Sequence, residues 1–355
     1  MKRVKPLLVI IISIIISFKA SAQDGLSALI KAGPADATKL VNAYADPLFK
    51  GIGTGMNSGW NNTAKTKKLL HFDLRITATG AFTPTSDKTF DVTKLGLSNS
   101  VRPADASQTI SPTIGGDRDN SGPLMNVYSN NGQKVDEFKL PSGKLPIIPS
   151  PQVQLTVGLI RNTDLTFRVI PKINLGSDVG SVSMFGFGIK HNIMEDITGK
   201  TADKLIPFDL AIALGYSRLD MHIPLDVQPD GAQPENGQQS TDFSNQHIEG
   251  HFNSFMVQAI ISKKLLFFTP FFAAGYNTAN TNAATIGNYP ITTGETFDGK
   301  ATYTTFANPI TIKEKTVSGV RADMGFQMNL GFFRIYASYG LAKYQSANAG
   351  IGFGF

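Results

Sequence analysis

The stretch VRADMGFQMNL, residues 320–330, places a non-polar side chain at every second position and a polar residue or glycine between them. The stretch FRIYASYGL, residues 333–341, repeats this alternation after a two-residue turn, and residues 351–355 end the chain as IGFGF. Segments of about ten residues with period-two alternation, separated by short turns, are typical of transmembrane β-strands. The pattern predicts an all-β fold, an antiparallel transmembrane β-barrel.

The same alternation predicts ten strands, within a range of eight to fourteen. They lie near residues 69–82, 153–159, 165–169, 181–191, 208–216, 251–261, 265–276, 320–330, 333–341 and 351–355. Outer-membrane barrels have short periplasmic turns and longer outer loops. Because the connections alternate in length and the count is even, we expect both ends of the chain on the periplasmic side. The turn sequence NNG at 130–132 predicts a further hairpin in the first loop.

An exported β-sandwich is the alternative, since its strands also alternate. The barrel is favoured because bulky non-polar side chains keep to one face of nearly every strand, while Asp, Arg, Lys and Gln keep to the other. That distribution suits lipid outside and a polar lumen inside.

The N-terminus predicts export. Lys2, Arg3 and Lys5 precede a non-polar run, and Ala20-Ser21-Ala22 follows it. This is the pattern of a secretory signal peptide, residues 1–22, cleaved before Gln23. An N-terminal membrane anchor is the alternative, but the non-polar run is shorter than the roughly 20 residues that a spanning helix needs. The chain has no cysteine, so neither a lipid-modified cysteine nor a disulfide is expected.

The charge balance argues against nucleic acid as a partner. The formal net charge is +6, but Lys2, Arg3, Lys5 and Lys19 all lie in the predicted signal peptide, which contains no acidic residue. The remainder of the chain is therefore close to neutral. No cluster of Lys and Arg with interleaved aromatic residues follows, as a nucleic-acid surface would require.

Residues 23–68 are predicted to form a separate N-terminal segment before the barrel, residues 69–355. Two short helices are expected, at 25–32 and 36–45, bounded by Pro34 and Pro47 and followed by the glycine-rich stretch 51–55. The segment is either a plug in the lumen or a periplasmic lead-in at the barrel rim. A plug is favoured, because small helices with exposed non-polar faces need a surface on which to bury them.

Three stretches carry a resemblance: NAYADPLFKGIGTGMNSGWNNTAKTKKLLHFDLRITATGAF at 42–82, PSPQVQLTVGLIRNTDLTFRVIPKI at 149–173 and GFGIKH at 186–191. Together with the predicted signal peptide they resemble an uncharacterised family of Gram-negative outer-membrane barrels. The layout is similar to that of the long-chain fatty acid transporters, which carry an N-terminal hatch inside a fourteen-stranded barrel. The resemblance implies passive uptake of a hydrophobic small molecule and supplies no ligand residues. Phe355 resembles the aromatic end that the barrel assembly machinery recognises.

Three motifs invite sharper interpretations, and none satisfies its chemistry. The sequence HIEGH at 247–251 spaces two histidines four apart, but a zinc protease needs His-Glu-x-x-His on a helix. Residues 117–122 match the first half of a calcium loop, yet Tyr128 stands where the loop needs a glutamate. The glycines at 51–55 follow no strand, so they are not a dinucleotide fingerprint. No catalytic residue, metal or cofactor is predicted.

Eight charged residues are expected to face the lumen: Asp73, Arg75, Arg168, Lys190, Asp209, Arg321, Asp323 and Arg334. The interior of a barrel of about ten strands is narrow, and side chains can largely fill it. These charges either pair with one another across the lumen, or line a permeation path and hold the N-terminal segment in place.

Three function classes remain. The first, and the preferred one, is a passive channel or transporter for a small solute, including a hydrophobic one. The second is a structural or surface-interaction barrel with a packed lumen that does not conduct. The third is a barrel-embedded hydrolase using His222, His247 or His251, which ranks last because no catalytic motif supports it. The expected partners are outer-membrane lipid, the assembly machinery and a small hydrophobic ligand.

Overall fold

The computed structural model describes residues 21–129, 131–176, 180–203 and 206–354. Ten antiparallel strands form one closed barrel. They are β1 (Phe72–Phe82), β2 (Ile147–Gly158), β3 (Thr163–Asn174), β4 (Ser181–Asn192), β5 (Asp209–Pro224), β6 (His247–Ser262), β7 (Phe268–Ile286), β8 (Thr311–Leu330), β9 (Phe333–Leu341) and β10 (Ser346–Gly354).

Each strand pairs with its neighbours in the chain, and β1 closes the ring by pairing with β10, from Asp73 opposite Gly354 to Ala81 opposite Ser346. The predicted ten-stranded barrel is confirmed, and closure rules out the sandwich. Two predictions fall on residues outside those described. The signal peptide lies almost entirely in residues 1–20, and the assembly signal is Phe355.

The outer surface of the wall carries a belt of exposed non-polar side chains. Its members alternate with inward polar ones, and they include Leu74, Leu155, Phe167, Phe185, Phe187, Ile189, Ile212, Leu214, Phe255, Phe272, Met324, Leu341 and Phe353. A belt of this kind around a closed barrel is suited to hydrocarbon, because pairing between neighbouring strands satisfies the backbone polar groups of the wall.

The wall continues beyond the membrane on the side of the long loops. Strands β5 to β8 contain 16, 16, 19 and 20 residues, whereas about 9–11 suffice to cross a bilayer. Strand β7 continues to Ile286, past its predicted end at residue 276, and β8 begins at Thr311, before its predicted start at residue 320. The outward positions there are largely polar, because water replaces lipid outside, and the outward non-polar pattern used for the prediction therefore disappears.

The long loops carry small sheets of their own. Thr89–Asp91 pairs with Ile110–Pro112, and Gln233–Pro234 and Asn288–Glu295 flank Ala301–Ala307. The hairpin expected around residue 131 joins Leu124–Tyr128 to Lys134–Lys139 and pairs further with Val101–Pro103. It lies outside the barrel, and the strand count stays at ten.

The described residues also form three α-helices, α1 (Ser21–Ile30), α2 (Pro34–Asn57) and α3 (Met194–Asp203), the last in the connection between β4 and β5, and two short 3-10 helices, Thr85–Asp87 and Val92–Leu95. Helix α2 is longer than predicted, because it continues through Pro47 and through the glycine-rich stretch. No helix among the described residues is both long and non-polar enough to cross a membrane.

The glycines of α2 are explained by the wall beside them. A Cβ atom on Gly51 would lie 2.6 Å from Cβ of Ile148, and one on Gly53 would lie 2.6 Å from Cβ of Ala279. Glycine inside a helix costs roughly 1 kcal/mol relative to alanine. Here the missing side chains allow the helix backbone to approach β2 and β7, and packing outweighs the intrinsic preference.

Helix α1 lies among the long loops. Lys31 Nζ is 3.7 Å from Asp136 Oδ2 and 3.3 Å from Asp230 Oδ2. At the other end, the backbone N–H of Leu70 donates to the carbonyl of Gly158, beside the short turn between β2 and β3. Residues 34–70 therefore cross the lumen from the long-loop end to the short-turn end. The expectation of a periplasmic N-terminal end is wrong for α1, because the strand count omits a helix that crosses the lumen.

An epitope tag inserted after Gln23 is expected to bind antibody on intact cells, because α1 stands with the outer loops. A tag inserted at Lys263, in the short turn after β6, should bind only after the outer membrane is permeabilised. Immunofluorescence with and without permeabilisation measures both. A protected tag at Gln23, in cells where a tag at Gln238 in an outer loop is labelled, would contradict this topology.

Candidate functional site in the barrel lumen

The lumen is occupied by α2, which we call the lumenal helix. It packs against the inward faces of β1, β2, β5, β6, β7 and β8. Leu40, Tyr44 and Met56 are fully buried along it. Since the helix ends at Asn57, inside the wall, its last carbonyl groups have no intrahelical partner and no bulk water. The chemistry of the lumen follows from how these carbonyls are satisfied.

Arg168 of β3 is the central donor. Its side chain is completely buried, and it donates from Nη1 to the carbonyl of Met56 (2.8 Å) and from Nη2 to that of Ser58 (2.7 Å). Nε donates to Oε1 of Gln154 at 3.0 Å, which fixes the plane of the guanidinium group. A cation at a helix C-terminus is stabilised by the negative end of the helix dipole.

Two further arginines reach the same end of the lumenal helix, and with Arg168 they form what we call the arginine cluster. Arg75 of β1 donates to the carbonyls of Gly59 (3.0 Å) and Trp60 (2.8 Å). Arg321 of β8 makes a longer contact, 3.4 Å, with the carbonyl of Thr54. Arginine side chains from three strands therefore converge on residues 54–60, around the end of the helix.

Trp60, the only tryptophan of the chain, covers the arginine cluster. The guanidinium carbon of Arg168 lies 3.7 Å from the centre of its ring, which is a close cation–π contact. The indole N–H donates to the carbonyl of Met56 at 3.2 Å. The indole ring lies against Gly188 and Gly215 of the wall, where any side chain would collide with it.

Carboxylates balance part of this positive charge. Arg321 donates from Nε to both oxygens of Asp323 (2.9 and 2.8 Å), and Arg334 donates to Asp73 at 2.7 Å. The hydroxyl of Tyr336 also donates to Asp73, at 2.9 Å to each oxygen. The charges therefore pair with one another, as one of the two interpretations expects.

Lys190 of β4 both pairs with a carboxylate and binds the N-terminal segment. Its ammonium lies 3.0 Å from Asp164 Oδ2 and donates to the carbonyls of Thr63 (3.0 Å) and Lys65 (2.9 Å), below the helix. Asp209 stands apart, half-buried at the start of β5, where it accepts from the side chain of Asn192 at 3.1 Å. Of the eight residues predicted to face the lumen, Asp209 alone takes no part in the contacts around the helix end.

Sequence reasoning missed the glutamines and the acceptors. Gln152 and Gln154 alternate with outward Val153 and Leu155, so the strand pattern already placed them inward. The amide of Gln152 donates to the carbonyl of Gly55 at 2.7 Å. Backbone carbonyls leave no mark in a sequence, and the partner of a buried arginine could not be inferred without the helix.

The long-loop half of the lumen is non-polar and contains a cavity of about 50 Å³. The lumenal helix supplies one side and the extensions of β5 to β8 the other. Its lining includes Leu26, Val41, Ala45, Leu48, Phe49, Met221, Ile223, Ile248, Phe252, Ala283 and Ile312. Non-polar cavities of this kind stay dry and accept non-polar guests.

Polar contacts hold the upper end of the lumenal helix against the outer loops. The hydroxyl of Tyr44 donates to the carbonyl of Ser142 at 2.9 Å, and burial raises the pKa of this phenol, which keeps it a donor. Asp36 accepts from the backbone N–H of Ser98 at 3.0 Å. Lys50 pairs with Asp87 at 3.1 Å.

The histidine pair of HIEGH and the partial calcium loop do not form the sites that those motifs would require. His251 lies on the outer face of β6, where its Nδ1 is 2.6 Å from Asp220 Oδ1, well away from a shared site with His247. Asp117 uses its carboxylate within its own turn, accepting from the N–H of Asp119 (2.9 Å) and the side chain of Asn120 (2.7 Å).

The closed wall, the outer non-polar belt and the polar end of the lumen define an outer-membrane β-barrel. The chain belongs to a family of unknown function, DUF6588, which matches it over residues 1–355. No curated protein matches it.

Solved structures with similarity to the chain are outer-membrane barrels of several kinds. The protease OmpT from Escherichia coli matches with 9% identity and a TM-score of 0.34, over 82% of this chain and 100% of that one. Ail, the attachment invasion locus protein of Yersinia pestis, matches with 9% identity and a TM-score of 0.25, over 81% and 100%. The translocator domain of the autotransporter NalP from Neisseria meningitidis matches with 10% identity and a TM-score of 0.28, over 86% and 92%. Similarity this low does not assign an activity to the chain. The likeness to fatty acid transporters stays a prediction.

Replacing Arg168 by methionine is expected to loosen the helix end before the barrel unfolds. Two buried carbonyls lose a charged donor, and such losses cost roughly 3–6 kcal/mol together. Trp60 fluorescence in urea reports the helix end, while heat-modifiable migration reports the wall. In Arg168→Met the fluorescence transition should move to lower urea and separate from loss of the barrel.

Arg218→Met is the matched control, because Arg218 is an exposed arginine on the outer face of β5. Its fluorescence transition should stay where the parent protein has it. Equal transitions in the parent protein and in Arg168→Met would show that the arginine cluster does not hold the helix.

Proposed function

We propose that this barrel is a gated, passive channel for a small, mainly non-polar solute such as a medium-chain fatty acid, closed by its lumenal helix. The non-polar cavity carries the proposal, because it lies inside the wall on the long-loop side and is lined in part by the helix itself. A solute held there would need only a displacement of the helix to continue toward the short-turn end. The cavity is the place where such a solute would be received.

The contacts of the helix suit a gate that opens rarely. Its end is held by hydrogen bonds from the arginine cluster to backbone carbonyls, and each can be exchanged for water when the segment moves. Two such bonds to charged donors cost roughly 3–6 kcal/mol to break. An open form at that free energy is a minor species, consistent with slow passage of a solute and without a permanent leak.

A second candidate is a structural or surface-interaction barrel with a permanently packed lumen. The packing around the helix end favours it, since the space lined by Asn57, Gln258, Asn277 and Arg321 has a volume of only about 10 Å³, about one water molecule. In that case the outer loops carry the function. No enzymatic activity is proposed, and the expectation from sequence stands as a prediction.

A disulfide between the helix end and the wall tests the gate. The hydroxyl oxygens of Ser58 and Ser346 are 3.3 Å apart, and the chain has no cysteine of its own. In Ser58→Cys/Ser346→Cys, oxidation should abolish single-channel conductance in planar bilayers and decanoate uptake by cells producing the barrel. Reduction should restore both to the level of the parent protein.

The matched control is a disulfide within the wall. Thr156 of β2 and Thr166 of β3 have hydroxyl oxygens 3.0 Å apart, and Thr156→Cys/Thr166→Cys leaves the helix free. Its oxidation should change neither readout. Conductance that survives oxidation of the first pair would refute the gate. A parent barrel that is folded, heat-modifiable and silent in both assays would favour the packed lumen.

Filling the cavity tests its part in the path. Ala45→Leu adds three carbon atoms to the cavity wall, so decanoate uptake should fall at least fivefold, with the barrel as stable as before or slightly more so. Ala43→Leu is the control, because Ala43 faces the outer cleft beside Lys39 and Ser86 instead. Unchanged uptake in a folded Ala45→Leu barrel would remove the cavity from the path.

A further inference from the structure

The outer face of β5 and β6, beyond the membrane belt, brings together two histidines and a glutamate. His222 of β5 stands opposite Glu249 of β6 in the strand register, and His247 lies two residues before Glu249 on the same face. One potential ligand atom from each of the three lies within 4.8 Å of the other two. His222 is the fourteenth residue of β5, past the 9–11 that cross the bilayer.

A backbone carbonyl orients one of the two rings. Nδ1 of His247 lies 2.8 Å from the carbonyl oxygen of Asn245, so it carries the proton and donates. In the neutral ring Nε2 then presents a lone pair, and this atom lies 3.4 Å from Oε1 of Glu249. A lone pair and a carboxylate oxygen repel each other unless a proton or a metal ion lies between them. Histidines that bind metals are commonly oriented by such a carbonyl.

The surroundings of the three side chains leave room for a water molecule. The side chain of His247 is 17% exposed and that of Glu249 is 45% exposed, so the group is sheltered on one side and open to solvent on the other.

We propose that His222, His247 and Glu249 form a binding site for a divalent transition-metal ion of the zinc class. Two imidazole nitrogens and one carboxylate oxygen, with a water molecule as fourth ligand, are a common tetrahedral zinc set. Calcium and magnesium prefer oxygen ligands throughout, and a site with two nitrogens discriminates against them. The site does not depend on the transport proposal.

The sequence pointed to a different pair. HIEGH spaces His247 and His251 four residues apart, which on a strand is about 13 Å. The strand instead brings together residues two apart, His247 and Glu249, and the neighbouring strand adds His222. A bound ion would cross-link β5 and β6 where Met221 and Ile248 line the inner cavity, and so would stiffen the outer wall of that cavity.

Isothermal titration of the full-length barrel in detergent, freed of metal and titrated with zinc sulfate, tests the site. One zinc ion per chain is expected. His222→Ala, His247→Ala and Glu249→Gln should each weaken binding at least tenfold. His251→Ala is the matched control, a histidine on the same face and strand outside the group, and it should bind as the parent does.

Two further measurements separate this site from adventitious binding. Affinity should fall at least tenfold between about pH 7.5 and 5.5, as the imidazoles take up protons. X-ray absorption should report two nitrogen ligands and an oxygen-rich remainder at about 2.0–2.2 Å. Zinc bound with unchanged affinity by a folded His222→Ala/His247→Ala barrel, or binding lost in His251→Ala alone, would overturn the assignment.

Discussion

The lumen depends on one constraint, which is that a helix ends inside a barrel and its last carbonyls must be hydrogen-bonded there. Backbone acceptors buried without a partner are costly, and neighbouring strands can offer only side chains. Arg168 and Gln152 donate to carbonyls of the helix, and Arg75 donates to the carbonyls of Gly59 and Trp60 just beyond it. The dipole of the helix offsets part of their mutual repulsion, and Asp73 and Asp323 offset more. Inward cations therefore serve a structural purpose whatever else the lumen does.

The same helix divides the lumen into two chemical halves. Below its end, arginines, glutamines and carboxylates surround Trp60. Above it, the non-polar face of α2 packs on the extensions of β5 to β8 and leaves a cavity beside Ala45 and Phe252. In the proposed channel, the polar contacts at the helix end would close the lumen and the non-polar cavity above them would receive the solute. The outer face of the same wall carries His222 and Glu249, so a bound metal ion would act on the cavity from outside.

Much of the architecture could be predicted from alternation alone. All ten strands and the faces of their residues followed from period two, because each wall residue meets either lipid or lumen. The N-terminal segment could be predicted only in part. Pro47 and the glycines at 51–55 indicate the end of a helix by intrinsic propensity, and α2 continues through both. The helix continues because its backbone packs closely against Ile148 and Ala279, which are remote in sequence.

The sequence by itself determined the barrel, an approximate count of ten strands and the inward position of most charged wall residues, because those properties depend on local alternation between two solvents. Only the tertiary structure decided the direction in which residues 34–70 cross the lumen, the carbonyls that the arginine cluster binds, and the grouping of His222 with His247 and Glu249. Each of these depends on strand register or on packing between distant segments. Neither leaves a periodic signal in a single chain.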